Sequence, residues 1–175
     1  LASFVVSGLG NQQKKARDTQ RKNALTQIKK AIISAKSDCR NSSYFPTASA
    51  GTDSNPAEGT YYSTLTGYLK NLRYISANFT DPVNNSTYFY GYKTSLLANG
   101  ASTNVCINNS DSTLTFAGAT YFVLRAKLEM GTNDPDTAAT FTKCENVITK
   151  ITTATWVTPE IAPTSGDGYY YVCSS

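Results

Sequence analysis

The first forty residues contain no proline, so nothing in them forces a helix to end. They open with ten mostly apolar residues, LASFVVSGLG, and continue into a basic stretch, NQQKKARDTQRKNALTQIKKAIISAK. In that stretch Leu25, Ile28, Ile32 and Ala35 recur at steps of three and four, which is the spacing of one apolar stripe on an α-helix. The pattern predicts a single helix over residues 1–36. At 1.5 Å per residue this helix is about 55 Å long, so part of it must project from its own domain.

The apolar start is too short to cross a membrane by itself. Residues 1–9 make up half of the roughly 20 residues that a spanning helix needs. They lack the cationic segment and the cleavage site of a secretory signal, and no initiator Met precedes them. We therefore expect the numbered chain to begin partway through a longer apolar helix, with a buried core helix as the alternative. Gly8 and Gly10 are the predicted weak point, because glycine destabilises a helix interior.

After residue 40 the pattern changes to that of a small α+β domain. Residues 39–59 are rich in Asn, Ser, Thr, Gly and Pro and predict a surface loop, and residues 60–74 predict a short helix. Three later segments alternate as strands do: residues 87–94, 120–130 and 168–173. We expect an antiparallel sheet whose apolar face packs against the amphipathic half of the long helix.

The order of these elements resembles a type IV pilin or one of its pseudopilin relatives. The segment ARDTQRKNALTQIKKAI is similar to the helix that follows the membrane part of such pilins, and TDPVNNSTYFYGY and TYFVLRAKLEM are similar to their sheet. Residues 40–66 and 131–168 have no counterparts in this resemblance. The family's cleavage motif, with its glutamate five residues into the mature helix, would lie upstream of Leu1.

The resemblance implies a structural subunit, a major pilin, of an extracellular filament that serves adhesion, twitching motility or surface attachment. Residues 1–13 would lie in the filament core, or in the inner membrane before assembly. Residues 14–36 would pack on the sheet, and residues 37–175 would form the head. The partners would be identical copies of the chain in a helical assembly. The residues expected to contact those copies are Leu1, Phe4, Val5, Val6 and Leu9.

Two other functions remain open beside the main filament subunit. The chain could be an exported adhesin or tip protein that recognises a carbohydrate or a host surface, with the tyrosines at 88, 90, 92 and 169–171 as stacking residues. Buried rings with wetted hydroxyls are the alternative role for those tyrosines, and we favour it. The chain could also be a pseudopilin of type II secretion or of a DNA-uptake pilus.

Catalysis has no basis in this sequence, and we predict neither an enzyme nor a cofactor. The chain contains no histidine, which excludes Ser-His-Asp, Cys-His and His-metal arrangements. It also has no GxxxxGK or GxGxxG motif for holding phosphates. Asp134 and Asp136 could contribute oxygens to Ca²⁺, but a solvated turn is the interpretation we favour because the other ligands cannot be named.

The positive charge is concentrated in the first forty residues. They hold nine Lys and Arg against two Asp, a net charge of +7, whereas the remainder holds seven basic and ten acidic residues, a net charge of −3. We expect Asp18 and Lys22 to form a helical ion pair. The other cations could be solvated, or could pair with acidic groups of neighbouring subunits. We favour such packing and solvation over direct binding of DNA.

Four cysteines in a presumed exported chain predict two disulfides, for which three pairings are possible. We favour Cys144–Cys173, which would join a C-terminal loop to the last strand, together with Cys39–Cys106. A zinc site is the alternative, but the chain has no CxxC pair and no histidine.

Overall fold

The computed structural model describes residues 2–38, 45–46, 58–95, 118–152 and 163–174. The elements of these segments, in chain order, are α1 (Ala2–Asp38), β1 (Phe45–Pro46), α2 (Glu58–Asn71), β2 (Tyr90–Thr94), β3 (Gly118–Ala119), β4 (Phe122–Lys127), a 3-10 turn (Gly131–Asn133), α3 (Pro135–Thr152) and β5 (Tyr169–Cys173). The protein is therefore α+β, with a long N-terminal helix and a small antiparallel sheet, as the sequence predicts at this level.

Helix α1 is continuous for 37 residues, and its bounds match the prediction to within two residues at each end. Its backbone stays helical through Gly8 and Gly10. The predicted apolar stripe is the buried one, since Leu25, Ile28 and Ile32 have no exposed surface. Burial of this stripe fixes which side of the helix faces the rest of the chain.

The main sheet has the strand order β2-β4-β5, with both pairs antiparallel. In its centre Tyr92 lies opposite Leu124, which in turn lies opposite Val172. A separate two-stranded ladder joins β1 to β3.

The strands are shorter than the sequence predicts, and side chains explain both differences. Residues 87 and 88 belong to a turn instead of to β2, because the Asn85 side chain accepts hydrogen bonds from both of their N–H groups. Strand β4 ends at Lys127, and the N–H groups of Glu129 and Met130 donate to the Asp18 carboxylate of α1. In both places a polar side chain accepts hydrogen bonds from the backbone N–H groups just beyond the strand.

The two faces of the sheet are covered by different helices. Phe122, Leu124 and Ala126 of β4 face α1 and α2 within the larger apolar core. The opposite face carries Val123, which packs in a second cluster with residues of α3. The sheet is therefore buried on both sides instead of having one wet face.

Helix α3 corrects the sequence analysis, which took Asp134-Pro135-Asp136 for a solvated turn and found no element in this region. Asp134 caps the helix: its carboxylate accepts the N–H of Asp136, and its carbonyl accepts the Thr137 hydroxyl. Pro135 is the first helical residue, a position that proline favours. The buried face is formed by Cys144, Val147, Ile148 and Ile151, at helical spacing.

Helix α2 confirms the short helix that residues 60–74 predict, and it packs on β2. The rings of Tyr62 and Tyr90 lie 5.2 Å apart, and the Tyr62 hydroxyl donates to the Phe79 carbonyl. Tyr90, Tyr92 and Tyr171 are at most 3% exposed. These three rings are therefore not open to a stacking sugar. Tyr88, Tyr169 and Tyr170 are half-buried, so the choice between the two roles stays a prediction for them.

A disulfide joins Cys144 of α3 to Cys173 of β5, with a Cα–Cα distance of 5.7 Å. This pairing is the one that the sequence analysis favours. Cys39 and Cys106 lie outside the described residues, so their predicted pairing stays a prediction. The bond fastens α3 to the edge strand whose outer face the helix covers.

We expect the Cys144→Ala/Cys173→Ala variant to lose about 3–4 kcal/mol of unfolding free energy, because the bond closes a loop of 28 intervening residues in the unfolded chain. Hydrogen exchange should show α3 opening before the β2–β4 pair. Non-reducing peptide mapping that finds Cys39 joined to Cys173 would contradict the assignment.

Candidate functional site: an ionic junction below an exposed helix end

A buried arginine joins α1 to the rest of the chain. Arg21 has no exposed surface, and its guanidinium donates to three carboxylates. Nε and Nη2 donate to Asp81 at 2.7 and 2.9 Å, and Nη1 donates to Asp18 at 2.7 Å and to Glu129 at 2.8 Å. These partners lie on the helix itself, on the turn before β2 and just after β4. We call this group, together with Arg17, the ionic junction.

The backbone holds two of these carboxylates in place. Asp81 also accepts the N–H groups of Val83 and Asn84, at 2.8 and 3.3 Å. Asp18 is 1% exposed, and its two oxygens accept the N–H groups of Glu129 and Met130 at 2.8 and 2.9 Å. The aspartates thus reach Arg21 already oriented, which lowers the entropic cost of the ion pairs.

Arg17 adds a second guanidinium at the outer edge of the junction. Its Nε and Nη2 bind both oxygens of Glu129, at 2.7 and 2.6 Å. Hydrogen bonding to Arg17, reinforced by Arg21 and opposed by partial burial, lowers the pKa of Glu129 to about 2. The Glu129 side chain is 8% exposed and the Arg17 side chain 32% exposed, so the pair is shielded from water mainly on its carboxylate side.

Arg21 and Asp81 are also held in their charged forms. Burial by itself would lower the pKa of Arg21, but hydrogen bonds to Asp81, Glu129 and Asp18 raise it instead. Burial likewise opposes ionisation of Asp81. Hydrogen bonds from the Arg21 guanidinium and from two backbone N–H groups outweigh this effect and lower the pKa of Asp81. The hydrogen bonds from Arg21 to Asp81 and Glu129 therefore join oppositely charged groups.

Lys22 forms a third attachment, to the N-terminus of α3. Its ammonium lies 2.7 Å from oxygens of both Asp134 and Asp136. The expected Asp18–Lys22 pair is therefore wrong: Asp18 pairs with Arg21, three residues along the helix. The two aspartates weighed as calcium ligands hold an ammonium group here, and within the described segments no three acidic, Cys or His residues are grouped as a metal site.

These pairings change the picture of the helix cations. The cations expected to be solvated or paired with neighbouring copies include Arg17, Arg21 and Lys22, which bind carboxylates of their own chain. Sequence reasoning missed these pairings because, apart from Asp18, the partners lie 60 to 114 residues away. The one signal in the sequence was Asp81 beside Pro82, noted only as part of the resemblance.

N-terminal to the ionic junction, from Leu9 to Ala16, α1 is exposed on every side. All side chains from Leu9 to Ala16 are exposed, and Leu9 is 54% exposed. Phe4, Val5 and Val6 lie on the helical backbone, but their side chains and the whole of Leu1 fall outside the description. The predicted contact of these apolar residues with other copies stays a prediction. No helix within the described residues is long and apolar enough to cross a membrane.

Comparison of the chain with protein-family models, with curated proteins and with solved structures finds no match. The geometry of α1 is therefore the main basis for proposing a function.

We expect the ionic junction to make stability depend on pH in the acid range. The pKa of Glu129 is about 2 in the folded protein and near 4.5 in the unfolded chain, so its contribution is complete above pH 4.5 and is lost as pH falls towards 2. Glu129→Gln should cost about 3 kcal/mol at pH 7, and the difference from the unchanged protein should shrink below pH 4.5. Urea unfolding at pH 7, 4 and 2 measures this.

Glu145→Gln is the matched control, because Glu145 is an exposed carboxylate on α3 with no ion pair in the described structure. A Glu129→Gln curve parallel to the unchanged protein from pH 7 to pH 2 would contradict the assignment.

Proposed function

We propose that this protein is the structural subunit, a major pilin, of a type IV pilus-like extracellular filament. In this filament the N-terminal part of α1 packs against copies of itself. One observation carries the proposal: a single continuous helix is fastened to its own domain along its second half, and every side chain from Leu9 to Ala16 is exposed. A helix arranged in this way has a domain at one end and a contact surface at the other.

The length of the exposed part supports assembly. From Ala2 to Ala16 the helical backbone extends about 22 Å beyond the first ion pair. The sequence of this part is apolar from Leu1 to Leu9, apart from Ser3, Ser7 and Gly8. Exposed apolar surface costs roughly 25 cal/mol per Å², so contact with copies of the same segment would be favourable.

The architecture below the junction is compatible with the resemblance. A long helix packs on one face of an antiparallel sheet, which is the arrangement expected for a pilin head. Helix α3 on the opposite face has no counterpart in that expectation. The Cys144–Cys173 bond supports an extracytoplasmic location, since disulfides persist mainly in oxidising compartments.

We expect Leu9→Asp and Val5→Asp each to abolish filaments while leaving the unfolding transition of the monomer unchanged. A carboxylate at Leu9 is tolerated in water, where that side chain now lies, but is costly in a dry helical bundle. The measurements are electron microscopy of material sheared from cells and thermal unfolding of the purified monomer.

Asn146→Asp serves as the control, because it adds the same charge at an exposed site on α3. Filaments of normal length and number from Leu9→Asp would contradict the proposed function. Loss of domain folding in Leu9→Asp would show instead that this residue belongs to an intramolecular core. Scarcity of the unchanged subunit in sheared filaments would favour a tip adhesin over a main subunit.

A further inference from the structure

The loop between α2 and β2 carries three copies of Asn-x-Ser/Thr, the sequence at which N-linked oligosaccharides are attached. The copies begin at Asn78, Asn84 and Asn85 within SANFTDPVNNSTY, and none has proline in the middle position. Such triplets are frequent in a chain rich in Asn, Ser and Thr, so the surroundings of each copy decide whether it can act. We call residues 84–88 the acceptor turn.

The acceptor turn projects from a fixed base. Residues 82–87 are all exposed, whereas Asp81, just before them, is 4% exposed and binds Arg21 of the ionic junction. Asp81 also accepts the N–H groups of Val83 and Asn84. The turn is therefore open to an enzyme that approaches from solvent, while the base of the loop stays folded.

The side chain of Asn85 closes the acceptor turn and presents its amide nitrogen to solvent. Its Oδ1 accepts the N–H groups of Thr87 and Tyr88, each at 2.9 Å, and its own N–H donates to the Tyr88 carbonyl at 3.0 Å. Only the oxygen of a side-chain amide can accept such bonds, which fixes the assignment of Oδ1 and Nδ2. Because Oδ1 is turned towards the backbone, Nδ2 is directed away from it. Nδ2 is the atom to which an N-linked sugar is attached.

The third residue of this copy, Thr87, keeps its hydroxyl available for recognition. Thr87 is exposed, and within the described residues it contributes only its backbone N–H to the turn. A hydroxyl at this position is part of the acceptor sequence. Both groups that the sequence requires, the Asn85 amide nitrogen and the Thr87 hydroxyl, are thus open to solvent at the same turn.

The other two copies are tied to the domain. The middle residue of the Asn78 copy, Phe79, is half-buried against the apolar core, and its carbonyl accepts the Tyr62 hydroxyl. Asn84 has a φ of 46°, a left-handed conformation, and donates its N–H to Asp81 at the base of the loop. The bonds of Asn85 are made within the acceptor turn itself, so this is the copy that the loop presents.

We propose that Asn85 is the attachment site of an N-linked oligosaccharide. The donor is an oligosaccharide linked to a polyprenyl phosphate, and an extracytoplasmic transferase acts on the folded chain. A bond forms between Asn85 Nδ2 and C1 of the first sugar, and the bond from C1 to the phosphate oxygen breaks. The polyprenyl phosphate leaves with the electron pair, and the amide proton passes to a base of the transferase.

This modification goes beyond the proposed function and does not depend on filament formation. It requires an extracytoplasmic chain, which the Cys144–Cys173 bond supports. It also accounts for an apolar side chain in water, because Val83, two residues before Asn85, is 39% exposed. A bulky hydrophilic sugar on Asn85 covers this side chain.

The test is glycopeptide mass mapping of the protein purified from the cells that produce it. The peptide that contains Asn85 should carry the added mass of one oligosaccharide. Thr87→Val should abolish this added mass completely, because it removes the hydroxyl and keeps the N–H that Asn85 binds. Ser86→Ala is the matched control: it removes the copy at Asn84, leaves the copy at Asn85 intact and should retain the full added mass.

The outcomes separate this inference from the proposed function. An unmodified Asn85 in normally assembled filaments would overturn the inference and leave the proposed function standing. Added mass that is lost in Ser86→Ala and kept in Thr87→Val would overturn it also, because the sugar would then be on Asn84. A sugar on Asn85 of a chain that forms no filaments would support the inference and contradict the proposed function.

Discussion

The structure depends on one buried guanidinium. Arg21 is fully removed from water, and such a charge is tolerated only when its hydrogen bonds are satisfied by ionised partners. Asp81, Asp18 and Glu129 provide this and come from three different places in the chain. When all three carboxylates are present, the free-energy cost of removing the charges from water and the gain from the ion pairs nearly cancel. Specificity is the main gain, because this register of α1 against the sheet brings together groups from three places in the chain.

The ionic junction also determines where the domain ends along the helix. Below Arg17 the helix alternates between the apolar stripe and residues that face water, and the stripe is covered by the sheet and by α2. From Leu9 to Ala16 nothing in the described chain covers the helix. The boundary between docked and exposed helix is therefore set by Arg17, Arg21 and Lys22, and the proposed filament contacts begin where these ion pairs stop.

Local patterns were enough to predict much of this fold. The long proline-free amphipathic run predicted α1, the alternation of Phe122 to Leu128 predicted β4, and the last strand was placed within one residue. The Cys144–Cys173 pair was favoured among three possibilities. The signal for each of these features lies in consecutive residues, or in the position of a cysteine beside a strand.

The features that were missed depend on distant contacts or on a weak local signal. Helix α3 is rich in threonine, a poor helix former, and its identity lies in the Asp134 cap and four apolar positions. In the sequence Arg21 looks like any other cation of a basic helix, because its partners Asp81 and Glu129 lie 60 and 108 residues away. The sequence pattern of a helix does not distinguish a solvated arginine from one that organises the domain.

The free energy of unfolding of Arg21→Met, compared with Lys14→Met, tests the central claim most directly. Lys14 is an exposed cation on the same helix, so its replacement should change stability by less than about 0.5 kcal/mol. Arg21→Met leaves Asp81, Asp18 and Glu129 without their common partner and should cost about 3–5 kcal/mol in urea unfolding at pH 7. Equal stability of the two variants would contradict the claim that this arginine holds the helix to the domain.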